Sequence, residues 1–192
     1  MRRRTERGIS LCLAVLFALV ASVAAADEVS VPVDLQIQLL DRIVRYERSF
    51  AAQTSPVRVL VVTRPSSPES VRVSAQLVAR LRQSGSLGGR PTTVESTAFT
   101  NPGALATTAR ASTARLVYLA PGLGGDVRAI GAGLVGLDVI TVSAVGSDVD
   151  RGIVLGFELV SSRPRVVVHL AAARAQHLQF SAQFLRLARV VR

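Results

Sequence analysis

Apolar residues follow two spacings along the chain, one typical of buried strands and one typical of amphipathic helices. Residues 57–63 (VRVLVVT) form a nearly continuous β-branched run, which is typical of a strand buried on both faces. Shorter runs predict three more strands, at 92–97, 114–120 and 138–143. The stretches 152–161 and 165–170 are joined by Ser-Arg-Pro, so they predict a hairpin.

Segments with an apolar residue every three or four positions separate these strands and predict helices. The opening helix is expected over residues 31–50. Its apolar face consists of Val33, Ile37, Leu40 and Val44. A second helix is expected over 70–84, because Gly85 follows in the usual C-cap position. Shorter helices are expected to begin at Asn101-Pro102 and at Asp126.

The end of the chain predicts a closing amphipathic helix. Ser181 is a good N-cap, because its hydroxyl can accept a hydrogen bond from an otherwise unpaired backbone N–H. The expected apolar stripe consists of Phe180, Phe184, Leu187 and Val191. We therefore expect this helix to dock on the core, with its arginines in solvent.

Strands and helices in alternation predict one α/β domain of three layers. In this architecture a mostly parallel sheet is flanked by helices on both faces. The hairpin near the end of the chain adds an antiparallel edge, and the closing helix follows it. Residues 27–192 contain no repeat and no low-complexity linker, so a single domain is expected.

Residues 1–26 have the pattern of a secretory signal peptide. Four arginines precede an apolar run over residues 9–23, and three alanines end the segment before Asp27. We expect cleavage after Ala26, export to the periplasm and a soluble mature protein; a retained membrane anchor is the alternative. The chain has one cysteine, Cys12, which lies in this segment, so the mature domain is expected to fold without disulfides.

The net charge of the chain gives little information about its binding partners. The formal net charge is +10, and all 23 basic residues are arginine. The arginines are scattered, and no aromatic residue alternates with a basic run as a base-stacking groove requires. Nucleic acid is therefore not an expected partner.

One turn is placed where an anion could bind. The segment 121–126 (PGLGGD) follows a predicted strand and opens a helix, so its N–H groups are free to hold an anion. The ends of the predicted parallel strands add two polar residues. The candidate ligand or anion site therefore consists of Arg64, Gly122, Gly124, Gly125 and Ser143. The alternative is a tight turn that needs glycine for its backbone freedom.

The other motifs predict no catalytic residue, cofactor site or metal site. Residues 131–136 match G-x-G-x-x-G, but they follow a predicted helix, whereas a dinucleotide fingerprint opens one. His169 and His177 lack a zinc-site spacing; we expect His169 to be a hydrogen-bonded core residue and His177 to close a short helix. Asp148 and Asp150 are expected in a turn. An enzyme is therefore the least favoured class.

The order of elements resembles the YfiR-like family of exported bacterial proteins. The segments that carry the resemblance are 116–121 (LVYLAP), 139–142 (VITV), 152–157 (GIVLGF), 166–173 (VVVHLAAA) and 180–190 (FSAQFLRLARV). The opening segment, with Leu39-Leu40 and Arg45-Tyr46, is also similar. The resemblance covers most of residues 27–192, and it is strongest from residue 114 onward.

The resemblance implies a periplasmic, non-enzymatic regulator without catalytic residues or cofactor. The best-known member is a repressor that binds the periplasmic part of a membrane diguanylate cyclase, lowering cyclic-di-GMP and biofilm formation. A second copy of the chain is a further candidate partner. Two features depart from the family. His169 stands where asparagine is usual, and the expected mature chain lacks the disulfides of characterised members.

A second class remains open, that of a periplasmic small-molecule sensor or solute-binding protein. Its ligand would bind at the strand ends near the candidate site, as in other open α/β sheets. The neighbouring gene would discriminate between the two classes. A membrane cyclase or histidine kinase with a periplasmic domain would favour the regulator.

Overall fold

The computed structural model describes residues 31–192, so the predicted signal peptide and its cleavage site lie outside the described residues. The strands are β1 (Val57–Thr63), β2 (Ser86–Leu87), β3 (Arg90–Ala98), β4 (Leu116–Leu119), β5 (Ile140–Ser143), β6 (Leu155–Val160), β7 (Arg163–His169) and β8 (Arg189–Val191). The helices are α1 (Val33–Ile43), α2 (Arg48–Ala51), α3 (Pro68–Ser84), α4 (Pro102–Ala111), α5 (Val127–Gly133), α6 (Leu170–Ala175) and α7 (Ala182–Leu185). Two 3-10 helices span Val44–Tyr46 and Gly146–Arg151.

All eight strands belong to one sheet, in the order β2-β3-β1-β4-β5-β6-β7-β8. The five strands from β3 to β6 in this order are parallel, and β7 joins β6 as an antiparallel neighbour. The strand β1 lies near the middle of the sheet, and five of its seven residues are apolar. Its buried, β-branched composition therefore matches its place in the sheet.

Helices cover both faces of the sheet and complete three layers. On one face, α1, α3 and the segment around Phe184 pack against Val59, Val61 and Tyr118. On the other face, α4 and α5 pack against alternate residues of the same strands, including Leu60 and Val117. The predicted fold class is therefore confirmed: the chain is a three-layer α/β domain with a mostly parallel sheet and an antiparallel hairpin.

Local capping signals place two of the helices. Gly85 ends α3 with a φ of +64°, the left-handed conformation that glycine adopts without strain. The side chain of Asn101 accepts a hydrogen bond from the N–H of Ala104 at 2.8 Å, and Pro102 occupies the first turn of α4. These two boundaries follow from the residue types alone, as predicted.

The sequence predicts one continuous opening helix over residues 31–50, and this prediction is wrong. The helix ends at Ile43, and after a 3-10 turn Glu47 adopts an extended conformation. Glu47 forms an antiparallel bridge with Phe180, and this pairing needs extended backbone. The apolar periodicity continues across this break, but the tertiary contact interrupts the helix.

The buried carboxylate of Glu47 holds this break in place. It accepts hydrogen bonds from Phe50 N at 2.6 Å, from Ser49 N at 3.1 Å and from the Ser49 hydroxyl at 2.6 Å. A fourth bond comes from Gln179 N at 3.0 Å, near the other end of the chain. The carboxylate therefore caps α2 and joins two segments that are far apart in sequence.

The closing helix is much shorter than predicted. The Ser181 hydroxyl accepts a hydrogen bond from Phe184 N at 3.3 Å, as expected of the N-cap, but α7 ends at Leu185. Residues Arg189–Val191 form β8, which pairs in parallel with β7. The backbone of β8 pairs with the free edge of the sheet, so sheet pairing overrides the helical pattern. Leu187, expected in the apolar stripe, is 72% exposed.

The hairpin also differs from its predicted turn. Val160 pairs with Arg163, so the turn consists of Ser161 and Ser162 rather than Ser-Arg-Pro. Both serines have positive φ, 49° and 62°. A two-residue turn of this kind matches the right-handed twist of the strands that it joins.

Replacing Phe184 tests whether α7 contributes to the core. The ring is 4% exposed and stacks against Tyr46 at 6.0 Å between centroids. We expect Phe184→Ala to lower the free energy of unfolding by about 3–5 kcal/mol in chemical denaturation, because it leaves a cavity. The exposed neighbour Arg186 is the control, and Arg186→Ala should change stability by less than about 0.5 kcal/mol. Equally small effects would mean that α7 does not stabilise the core.

Replacing Glu47 tests the contact between the two ends of the domain. Glu47→Gln retains the shape but replaces one acceptor oxygen with a donor group, which faces backbone N–H groups. We expect a loss of about 1–3 kcal/mol in the free energy of unfolding, because buried donors lose their acceptor. Glu95→Gln is the control, since Glu95 is exposed on β3. Equal stability of the two variants in urea would contradict this account of Glu47.

Candidate functional site

The strand order creates a switch point between β1 and β4. From β1 the chain crosses to β3 on one side, and after β3 it returns to β4 on the other side. The connections therefore leave the sheet in opposite directions, and open α/β sheets bind ligands in the crevice at such a point. Arg64 directly follows β1, and the predicted glycine turn follows β4. The structure thus brings the first four candidate residues to one place.

Arg64 bridges the two sides of the switch point. Its Nε donates a hydrogen bond to the carbonyl oxygen of Gly122 at 2.6 Å. Its Nη2 forms a short ion pair with the carboxylate of Asp126, at the start of α5. The guanidinium also lies over the ring of Phe99, 5.2 Å from the centroid. The charge of Arg64 is therefore already paired within the protein.

The turn between β4 and α5 is held by backbone geometry and by a second arginine. Gly122 has a φ of +83°, and a Cβ at this position would lie 3.1 Å from the side chain of Ser67. The carbonyl oxygen of Gly124 accepts a hydrogen bond from Arg151 Nη1 at 2.6 Å. Gly125 has open space around its Cα. The tight-turn reading of Gly122 thus has a physical basis, since a side chain would be strained there.

Ser143 ends β5 and is buried. Its hydroxyl donates to Asp148 Oδ2 at 2.5 Å and accepts from Val145 N at 3.1 Å. Asp148 in turn pairs with Arg151, which contacts the glycine turn. A chain of hydrogen bonds therefore links the end of β5 to the switch point. In this arrangement Ser143 positions the adjoining loop, and its hydroxyl does not face the crevice.

The arrangement fits a rigid, internally neutralised junction. The carboxylate of Asp126 neutralises Arg64, in the place that a bound anion would take. The carboxylate of Asp148 neutralises Arg151 in the same way. Sequence reasoning identified Asp126 as a helix start but missed its pairing with Arg64. It also missed Arg151 and the burial of Asp148, because these pairings join distant segments. An anionic ligand would have to displace Asp126 to reach Arg64.

The two histidines have structural contacts. His169 Nδ1 accepts a hydrogen bond from Ala172 N at 3.2 Å and so caps α6. An asparagine oxygen can accept the same bond, so histidine replaces the residue usual in the resembled family without loss of the cap. His177 lies 2.7 Å from Asp138 through its Nδ1 and has a φ of +53°.

Two buried polar residues have perturbed proton affinities. Burial raises the pKa of Tyr118, whose hydroxyl donates to Gln36 Oε1 at 2.8 Å. Burial, together with the charge of Arg115, lowers the pKa of Arg90. The Arg90 guanidinium donates to backbone oxygens of Phe50 and Ser55, so it fastens the segment between α2 and β1. Both residues therefore have clear structural roles.

Two depressions lie outside the crevice at the switch point, and the first of them shares Arg151 with it. One, of about 310 Å³, lies between α5 and α6 and includes Gly131 and His169 in its lining. The other, of about 700 Å³, lies between α1, β7 and the segment after α7. The G-x-G-x-x-G match places Gly131 and Gly133 inside α5, so it does not open a helix. Neither depression was apparent from the sequence.

Residues 31–192 contain neither a cluster of side chains suited to a metal ion nor a helix suited to span a membrane. Acidic, histidine and cysteine side chains form no group of three or more that is suited to a metal ion in this part of the chain. Within the same residues, each helix is too short or too polar to cross a membrane.

Several solved structures have folds similar to that of this chain. A conserved domain protein from Vibrio cholerae has a TM-score of 0.60 at 12% identity over 84% of this chain and 60% of the other. The ABC domain in complex with L-Trp from Streptococcus pneumonia has a TM-score of 0.61 at 11% identity over 81% of this chain and 60% of the other. A ligand-free, open substrate-binding protein with adhesive properties from Clostridium difficile has a TM-score of 0.58 at 11% identity, with 84% and 60% covered.

These likenesses concern the fold alone, because the identities are low. The chain spans about 60% of the length of each of these proteins. No curated protein sequence matches the chain. A family model described as YfiR/HmsC-like, in contrast, matches residues 34–189, which include β1 to β7, the first residue of β8 and nearly the whole described domain. The chain therefore belongs to the YfiR/HmsC-like family.

Proposed function

We propose that the protein is a periplasmic, non-enzymatic regulator that binds the periplasmic part of an inner-membrane diguanylate cyclase. Binding would restrain the cyclase and lower cyclic-di-GMP. The observation that carries this proposal is the family match over residues 34–189. The family is known for regulation of this kind, so the role comes to this chain through its membership.

The proposal includes export. Residues 1–26 would direct the chain across the inner membrane, and cleavage after Ala26 would release residues 27–192 as a soluble periplasmic domain. Cys12 would be lost with the leader, so the domain would rely on its core and its buried polar contacts. The contacts of Glu47 and of Arg90 are of this kind.

The geometry of the switch point supports a function in which the chain binds another protein, rather than a catalytic function. Its charged side chains are paired with one another, and the Ser143 hydroxyl donates to Asp148. A restraining protein needs a surface rather than a reactive cleft, and specific interfaces bury about 800 Å² per partner. The groove between α1 and β7 offers an exposed surface away from this junction.

Deletion of the gene tests the regulatory function. We expect higher cellular cyclic-di-GMP and stronger surface attachment, because the membrane cyclase is no longer restrained. An exported copy should reverse both changes, and a copy lacking residues 1–26 should not, since it stays in the cytoplasm. Cyclic-di-GMP is measured by mass spectrometry of cell extracts. Unchanged levels in the deletion strain would contradict the proposal.

A second function, solute binding, is favoured by one specific observation. Arg64, Gly122, Gly124 and Gly125 meet at the switch point, where open α/β sheets bind ligands. One structure of similar fold, the ABC domain from Streptococcus pneumonia, is in complex with L-Trp. If this chain binds a carboxylate here, Arg64 is the residue best placed to hold it, in competition with Asp126.

Asp126→Asn tests this second function, because it removes the competing carboxylate. If the site binds organic anions, we expect L-Trp to bind the variant about tenfold or more tightly than the wild type, in isothermal titration calorimetry. Asp150→Asn is the control, since Asp150 pairs with Arg189 instead, at 3.4 Å. Absence of binding to both the wild type and Asp126→Asn would exclude L-Trp as a ligand of this site.

A further inference from the structure

An open groove separates α1 from the start of β7. Its volume is about 700 Å³, and its floor is mostly apolar. The groove is lined by Leu39, Asp41, Arg42, Ile43, Arg45, Tyr46, Pro164, Arg165, Val166, Phe184 and Leu187. We call this depression the α1–β7 groove. Its lining joins the beginning and the end of the domain, because Tyr46 stacks on Phe184 at 6.0 Å between centroids.

Apolar surface continues beyond the groove. Leu187, at one side, is 72% exposed because the chain leaves α7 for β8 at this point. Leu159 is 42% exposed and lies opposite Pro164 in the β6–β7 register, so it shares the face that lines the groove. Small-molecule sites bury most of their ligand, whereas this apolar surface spreads outward. Its shape therefore favours a segment of a larger partner.

The charge around the groove is positive. Arg42 is exposed, and its side chain has no hydrogen-bond or ion-pair partner among residues 31–192. Arg45, in contrast, pairs with Asp41 at 2.9 Å. Arg165 pairs with Glu158 at 2.6 Å, but Glu158 is shared with Arg189 at 3.3 Å. The rim thus has more guanidinium groups than carboxylates, and Arg42 is the guanidinium that no carboxylate of the described domain pairs with.

We propose that the α1–β7 groove binds an acidic, amphipathic segment of the regulated membrane protein. Apolar side chains of that segment would fill the floor between Tyr46, Phe184 and Leu187, and its carboxylates would meet Arg42. Aromatic residues and arginine are the side chains that most often dominate binding at protein interfaces. This inference rests on the proposed function and adds the surface and the chemistry of the partner.

Two exposed residues of the groove can be changed without disturbing the core. Arg42→Glu reverses the unpaired charge, and Leu187→Ser removes the exposed side chain. The matched controls are Arg110→Glu, on the opposite face of the sheet, and Val71→Ser, whose side chain is 45% exposed on α3. Thermal unfolding of all four variants would verify that they fold as the wild type does.

The probe is the purified periplasmic domain of the inner-membrane diguanylate cyclase that the proposed function assigns as the partner. We expect each groove variant to bind it about tenfold or more weakly than the wild type does, by calorimetry. The two controls should stay within about threefold of the wild type. The loss in Arg42→Glu should shrink at high salt, because exposed charges are screened.

The outcomes separate this inference from the function on which it rests. If the wild type binds the domain and both groove variants bind equally well, the groove is not the docking surface, although the regulatory function stands. If the wild type does not bind and gene deletion leaves cyclic-di-GMP unchanged, both fail. Analytical ultracentrifugation tests the alternative occupant, a second copy of this chain. If the wild type is a dimer and Leu187→Ser is a monomer, the groove binds a second copy and the proposal is wrong.

Discussion

The helical layer that contains α1, α3 and α7 depends on one buried carboxylate. Glu47 accepts four hydrogen bonds, three from the start of α2 and one from Gln179. Flanking backbone bonds, Arg48 N to Gln179 O at 3.0 Å and Ser181 N to Tyr46 O at 2.9 Å, extend this contact into a short antiparallel pairing. It places Tyr46 against Phe184, so the α1–β7 groove, the end of α1 and the position of α7 all follow from it. A carboxylate can serve so many donors because it has two acceptor oxygens and no hydrogen of its own.

Elements with strong local signals could be predicted from the sequence. The buried run of β1, the glycine after α3 and the Asn-Pro start of α4 each specify their own conformation, and the alternation of elements specifies the fold class. Part of the candidate site could also be predicted: Arg64 and the glycine turn, named together from the sequence, lie next to each other at the switch point. That result follows from topology, because consecutive parallel strands end at the same edge of a sheet.

The remaining features depend on contacts between distant residues. Residues 189–191 fit a helical stripe, yet they form a strand because the edge of β7 offers unpaired backbone groups. The pairing of Arg64 with Asp126 spans 62 residues, so the sequence indicates Arg64 as a candidate site residue but not the carboxylate that neutralises it. Ser143 is likewise turned into the domain by Asp148. In each case a tertiary partner overrides what the local pattern favours.

The bond between Gln179 and Glu47 joins residues 132 positions apart, and this separation sets when folding can finish. Contacts that are distant in sequence form slowly, because a long loop must close before they stabilise anything. Before residue 179 emerges, Glu47 has one donor fewer and Phe184 is absent from the core. A nascent chain therefore cannot complete the helical layer of α1, α3 and α7 until nearly the whole chain has been synthesised. Under the export proposed for this chain, late completion of the fold would keep it in a transportable state.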